Sequence, residues 1–386
     1  MHIPAKLASV GMTLAVLGGC STLQSLNPFA SKPAPRNPPV ALVEFQPAMT
    51  VRTAWTANIG KAGNALFNPA LVGGSVFVAA ADGTIARLDA ATGAQVWRIN
   101  AGVPLTAGVG ADAGTVAVGA ADGVVLAYSA DGKQRWKAQA SSEILGAPAV
   151  AQGMVIVRSI DNRIAAFDAD SGVQRWQLQR SAPALALRSA PGIAVDAQSV
   201  YVGMLGGRMV ALALSNGGPR WEVAVGDPRG ATELERIADV SGVPVLAGRE
   251  VCAVAYQGRI GCVDASTGAT RWAKEFSSEV GLGADERNVY GADERGNVNA
   301  YTRDAGVSVW RNNTLGNRRL SAPVAVGRAL AVGDYQGYMH FLSREDGAML
   351  ARSPSDGSRV IGTPVVTGNT VIFQTQAGTV AALTAE

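Results

Sequence analysis

Side chains that do chemistry work in company, and this 386-residue sequence keeps them apart. It holds two histidines, His2 and His340, and three cysteines, Cys20, Cys252 and Cys262. A lone imidazole cannot build a histidine-rich zinc site. A Ser-His-Asp relay would have to run through His340, yet no Gly-x-Ser-x-Gly elbow is present. No P-loop or dinucleotide-binding glycine motif occurs. Aspartates and glutamates fall mostly in turn-like stretches, where they cap and solvate. Cys252 and Cys262 flank the turn Tyr256-Gln257-Gly258 on neighbouring apolar runs. They are either a cross-strand disulfide or two buried small hydrophobes, and spacing alone does not decide. The net charge of +3 is spread along the chain, with no clustered basic patch for nucleic acid. No catalytic residue, metal or cofactor is expected.

Cys20 stands in a different setting. Leu7 to Leu17 is an apolar run of signal-peptide length, too short to span a bilayer. It ends in Leu17-Gly18-Gly19-Cys20-Ser21, which resembles the bacterial lipobox. The resemblance implies cleavage before Cys20, lipidation of Cys20, and, with Ser rather than Asp next, sorting to the outer membrane on its periplasmic side. Residues 1–19 then form a lipoprotein signal peptide. Residues 20–47 carry Pro28, Pro33, Pro35, Pro38, Pro39 and Pro47 and read as a semi-extended tether. The folded domain is expected over 48–386. An oxidising compartment would permit a Cys252–Cys262 bond.

The elements come from an internal period. "VFVAAADGTIARLDAATGAQVW" ends at Trp97, and related stretches end at Trp136, Trp176, Trp221, Trp272 and Trp310. A seventh puts Ala351 at the tryptophan position, and an eighth runs out of chain. Each copy has an apolar β-branched run and a turn with Gly or Asn at a fixed offset (Gly83, Gly123, Asn162, Gly207, Gly258, Gly296, Gly337, Gly378). A second alternating strand, an Asp-x-x-(Ser/Thr)-Gly type turn and the tryptophan strand follow. Gly and Asn tolerate the positive φ of hairpin turns. With a short strand opening each unit, four strands per roughly 40 residues make a propeller blade. The turns count eight blades. "VRTAWTANIG", carrying Trp55, has no hairpin before it and supplies the missing outer strand of the last blade, closing the ring. The expected fold is an all-β, eight-bladed propeller of four-stranded antiparallel blades, with the seven tryptophans packing blade against blade and a thinner contact at Ala351.

This repeat resembles the PQQ-like family of eight-bladed propellers. Quinone enzymes of that family use an adjacent Cys-Cys disulfide, a tryptophan platform and a calcium site, and this chain has no Cys-Cys pair and no tryptophan to spare. The resemblance therefore implies the fold and not the oxidation.

Tryptophan spacings of 39, 40, 45, 51 and 38 from Trp97 to Trp310 show two consecutive long connections. They hold "PALALRSAP" and "GDPRGATELERIADVSGVPV". Both join an outer strand to the next inner strand, on the face of the Gly hairpins. Insertions gathered on one rim point to a binding surface. Leu185 and Leu187 with Arg188 suit an interface anchor, and Glu233, Glu235, Arg236 and Asp239 a charged rim. The alternative is that the leucines fold back and plug the propeller. The lipobox, the Pro-rich tether, the "TAW" closing strand, "LALRSAP" and "TELERIADV" resemble the BamB family of β-barrel assembly lipoproteins. That resemblance implies docking to a periplasmic POTRA domain of BamA within the BAM complex, with Leu185, Leu187, Arg188 and Asp239 as contacts. Incoming unfolded outer membrane proteins are a further partner to consider. The family often has a second Asp where this chain has Ser241, which leaves a paired-carboxylate patch incomplete here.

Overall fold

The β-branched runs of the repeat form strands because their alternation fits a pleated sheet and their apolar faces need cover from both sides. The computed structural model describes residues 37–63, 65–188 and 191–386. Cys20, the signal segment and most of the Pro-rich stretch lie outside the described residues. The propeller unit runs from Pro39 to Glu386. It contains eight four-stranded antiparallel sheets, and no helix occurs among the described residues. Blade 3 is representative, with strands Ala149–Ala151, Met154–Arg158, Arg163–Asp168 and Gln174–Gln179 from the centre outward. Its second and third strands are buried almost throughout, whereas the outer strand buries chiefly Trp176.

The ring closes through its ends. Val51–Asn58 pairs with Thr379–Ala385 as the outer strand of blade 8. This removes the free edge that an open sheet would expose.

One contact repeats around the ring. The Trp136 ring lies on Gly172 in the next blade's turn, where a Cβ would come within 2.6 Å of it at φ 71°. Its Nε1–H donates to the carbonyl of Ala169 at 2.9 Å. All seven tryptophans donate to a carbonyl of the following blade in this way. Ala351 faces blade 8, and there the turn is replaced by the junction of the propeller's first and last strands, with Thr50 and Glu386 exchanging backbone hydrogen bonds. A tryptophan would have no turn glycine to lie on. Met49, almost fully buried, occupies the same apolar cluster as Leu350, Ala351 and Ala385.

At seven hairpins the repeated Gly or Asn has positive φ, but in blade 5 that role passes to Gln257 (φ 45°). Gly258 is required for closeness instead: a Cβ there would lie 2.8 Å from the Cα of Gly226. Cys252 and Cys262 are directly opposite across this hairpin and are joined by a disulfide. Both are fully buried.

Candidate functional site

In a meander blade, the connection from outer to next inner strand shares a face with the middle hairpin. The two long connections therefore lie on that hairpin face, between blades 3 and 4 and between blades 4 and 5. Each has its own local logic. In the second, Thr232 and Glu235 form a reciprocal cap: the Glu235 carboxylate accepts from the amides of Ala231 and Thr232, and Thr232 Oγ1 accepts from the Glu235 amide. These amide bonds hold the Glu235 carboxyl below its usual pKa. The turn raises Leu234 to its tip, 68% exposed. Glu233, Glu235 and Arg236 are exposed around it.

The first connection is held by a buried polar clasp drawn from three blades. Asn162, in the blade 3 hairpin, donates to the carbonyl of Ser181 at 3.0 Å. Asp239, at the entrance to blade 5, accepts from the amide of Leu187 at 2.6 Å and from the amide of Gly206, in the blade 4 hairpin, at 2.7 Å. Arg158, almost fully buried, donates to Asn162 Oδ1 at 3.3 Å. At the loop's end Arg188 pairs with Glu143 at 2.5 Å. Burial raises the Asp239 carboxyl above its ordinary pKa, against the pull of the two amides and of the Arg158 charge. Burial also lowers Arg158 to about 10.

The residues predicted as contacts thus divide. Leu185 is 48% exposed, and Arg188 is exposed on the same loop. Leu187 is half-buried and lines the mouth of a central cavity of about 570 Å3 with Leu145, Ile193, Val243 and Arg359. The two leucines differ in placement: Leu187 turns toward the cavity and Leu185 is exposed. Asp239 corrects the sequence expectation. It is 0% exposed, so it offers no surface to a partner, and its carboxylate is spent on two backbone amides. Ser241 is also buried, its hydroxyl donating to the carbonyl of Ser278 at 2.7 Å. Sequence reasoning missed Leu234 and the Arg158–Asn162 pair. Leu234 sits within the quoted insertion and was legible as the one apolar side chain of the polar run Thr232 to Arg236.

The quinone chemistry of the wider fold family does not fit these residues. The only disulfide among the described residues lies between strands of blade 5, packed with Val254, Ile260 and Trp272. No group of three or more His, Cys, Asp or Glu side chains among the described residues could hold a metal.

A closed, tryptophan-docked ring of eight four-stranded blades defines a class: a propeller of the PQQ-like repeat type. The family model described as outer membrane protein assembly factor BamB matches residues 48–101, 81–312 and 294–386. The BamB of Burkholderia pseudomallei is 46% identical over 347 residues, covering 89% of this chain and 91% of that protein. That of Bordetella pertussis is 44% identical over 331 residues, covering 86% and 84%. The crystal structure of BamB from Moraxella catarrhalis superposes with a TM-score of 0.80 at 27% identity, covering 87% of this chain and all of that one. The chain belongs to the BamB family of outer membrane protein assembly factors.

Proposed function

We propose that this propeller is a non-enzymatic scaffold of the outer membrane β-barrel assembly machinery. It is lipidated at Cys20, faces the periplasm and binds the POTRA region of BamA, so supporting the folding and insertion of outer membrane proteins. The observation that carries the reading is the clasped loop. A surface loop with Leu185 and Arg188 exposed is held by Asn162 of blade 3 and by Asp239 of blade 5, which the blade 4 hairpin anchors in turn. Bracing reduces the conformational entropy lost on association, so it favours a preorganised contact. The second insertion adds Leu234 beside charged neighbours, the pattern of an apolar anchor within a polar rim. The relatives named as assembly factors support the same direction.

A small-ligand reading centres on the cavity, which Leu187 and Arg188 both line. The test therefore uses exposed residues outside that lining. The mature full-length chain is assayed against purified BamA periplasmic domains beside Leu185→Asp/Leu234→Asp. Loss of binding by a folded double variant supports the scaffold reading, and equal binding by both chains discards this face. Cys20→Ser should move the protein from the outer membrane fraction to the soluble periplasm. Its retention in the membrane would remove the lipid anchor from the reading.

A further inference from the structure

Composition assigns Pro39 to Pro47 to the tether, but these residues are bound along blade 7. The amide of Val40 donates to the carbonyl of Gly316, and that of Ala48 to the carbonyl of Leu350, both at 2.9 Å. Three arginines grip backbone carbonyls along the segment. Arg318 donates to Val40 at 3.0 Å, Arg352 to Val43 at 3.3 Å, and Arg328 to Ala48. Arg352 also lies 5.6 Å from the ring centroids of both Phe45 and Tyr338. Leu42 packs against the apolar cluster between blades 6 and 7.

Arg318 is a costly residue to place there. It is almost fully buried, and a buried guanidinium must be partnered. Asp334 supplies the charge at 2.7 Å, sharing the same Oδ2 with His340 Nε2 at 2.9 Å. Gln336 accepts a further bond. The carbonyl of Val40 thus accepts, at the surface, from a guanidinium whose charge partner Asp334 is buried.

The path has a direction. The outer strand Met349–Pro354 of blade 7 climbs from the turn face to the hairpin face. The segment meets Leu350 near the start of that strand, Arg352 in its middle, and Gly316 and Arg318 in the blade 6–7 connection. It therefore descends from the hairpin face along blade 7, turns at Met49 and returns as the outer strand of blade 8.

We infer that residues 39–49 are a docked strap that fixes where the membrane tether begins: on the hairpin face between blades 6 and 7, three blades round the ring from the Leu185–Arg188 loop. Two consequences follow. The edge of blade 7 is occupied by the chain itself and is closed to an added strand. Nineteen residues separate Cys20 from Pro39 along the sequence, a contour of about 60 Å at roughly 3.1 Å per residue, against ~90 Å if the count ran to Pro47. Only the consequence for reach rests on lipidation of Cys20.

The test is amide hydrogen exchange on the mature full-length chain bound to phosphatidylethanolamine/phosphatidylglycerol vesicles, beside Leu42→Ser/Phe45→Ser. These substitutions lie in the strap and leave the blades unaltered. In the wild type, peptides covering 39–49 should exchange at least ten-fold more slowly than the same peptides in the variant. The blade ladders should keep their protection in both. A wild-type strap that exchanges as fast as the variant's, or a variant that stays protected, overturns the inference. Flotation with the vesicles reports lipidation separately, so failure of the anchor and failure of the strap are distinguishable.

Discussion

Asp239 offers the sharpest test of how the candidate interface is built. Asp239→Ala removes two charge-assisted acceptors, the bonds to Leu187 and Gly206 at 2.6 and 2.7 Å. Each bond of this kind contributes about 1.5–3 kcal/mol, but removing a desolvated carboxylate returns part of that cost. Net destabilisation of the fold should therefore be modest, about 1–3 kcal/mol. The bond to Leu187 is one of three that hold the loop, beside Asn162 to Ser181 and Arg188 to Glu143. A partner that needs the ordered loop must then supply that order itself, so affinity should fall about 10- to 100-fold, at 1.4 kcal/mol per tenfold. The assay pairs binding to BamA periplasmic domains with hydrogen exchange over residues 181–188. Asp239→Asn should fall between wild type and alanine, since it keeps one acceptor oxygen. If Asp239→Ala abolishes binding while exchange in the loop is unchanged, Asp239 touches the partner after all and the bracing argument is refuted.

His340 is buried and its pKa is pushed down by that burial, so it is neutral in the fold. The unfolded chain takes up its proton near pH 6.5, so stability falls as pH drops below that value toward the folded pKa, by at most about 1.4 kcal/mol per pH unit. Urea unfolding across pH 5–7 should show this slope, and His340→Gln should flatten it; an unchanged slope would assign it elsewhere. Replacing Cys252 and Cys262 together by alanine should lower stability by about 2–4 kcal/mol without altering partner affinity, since the pair is buried inside blade 5; chemical denaturation and the binding assay check the two halves. Gly172→Ala should cost several kcal/mol, about 2–4 from positive φ and the collision with the Trp136 ring, whereas Gly153→Ala, also at positive φ but with open space around it, should cost about 1 kcal/mol. Equal losses in thermal unfolding would mean the tryptophan contact is softer than its geometry.

The blades were legible because the forces that make them are local. Hairpin turns need Gly or Asn, strands need alternation, and the tryptophan recurs at one register position, so the period appears in the string itself. What the string hid depends on partners far along the chain. "TELERIADV" reads as a polar rim, yet Asp239 is buried because the amides of Leu187 and Gly206, 52 and 33 residues away, receive it. The Pro-rich segment reads as a free tether because its binding uses backbone carbonyls, which carry no sequence signal. The arginines that grip it lie some 280 to 309 residues downstream. Ala351 read as a thin contact, and Met49 fills it from the opposite end of the chain.

The clasp beneath the candidate loop joins blades 3, 4 and 5, so its geometry depends on how firmly those blades are docked to one another. Trp176 seals blade 3 against blade 4, lying on Gly217 and donating to Leu214 at 2.8 Å. Trp310 seals blade 6 against blade 7 in the same way, on Gly347 and the carbonyl of Arg344 at 3.0 Å. The two are almost equally buried, at 7% and 8% exposure. Alanine at either should cost a similar amount, about 3–5 kcal/mol. Only Trp176→Ala loosens the wall that carries Asn162 relative to the one that carries Gly206. Under conditions where both variants remain folded, it should weaken partner binding and speed exchange over 181–188, and Trp310→Ala should do neither. If the two variants lose binding in parallel, the loop responds to overall stability alone, and the ring is a support for the site rather than part of its construction.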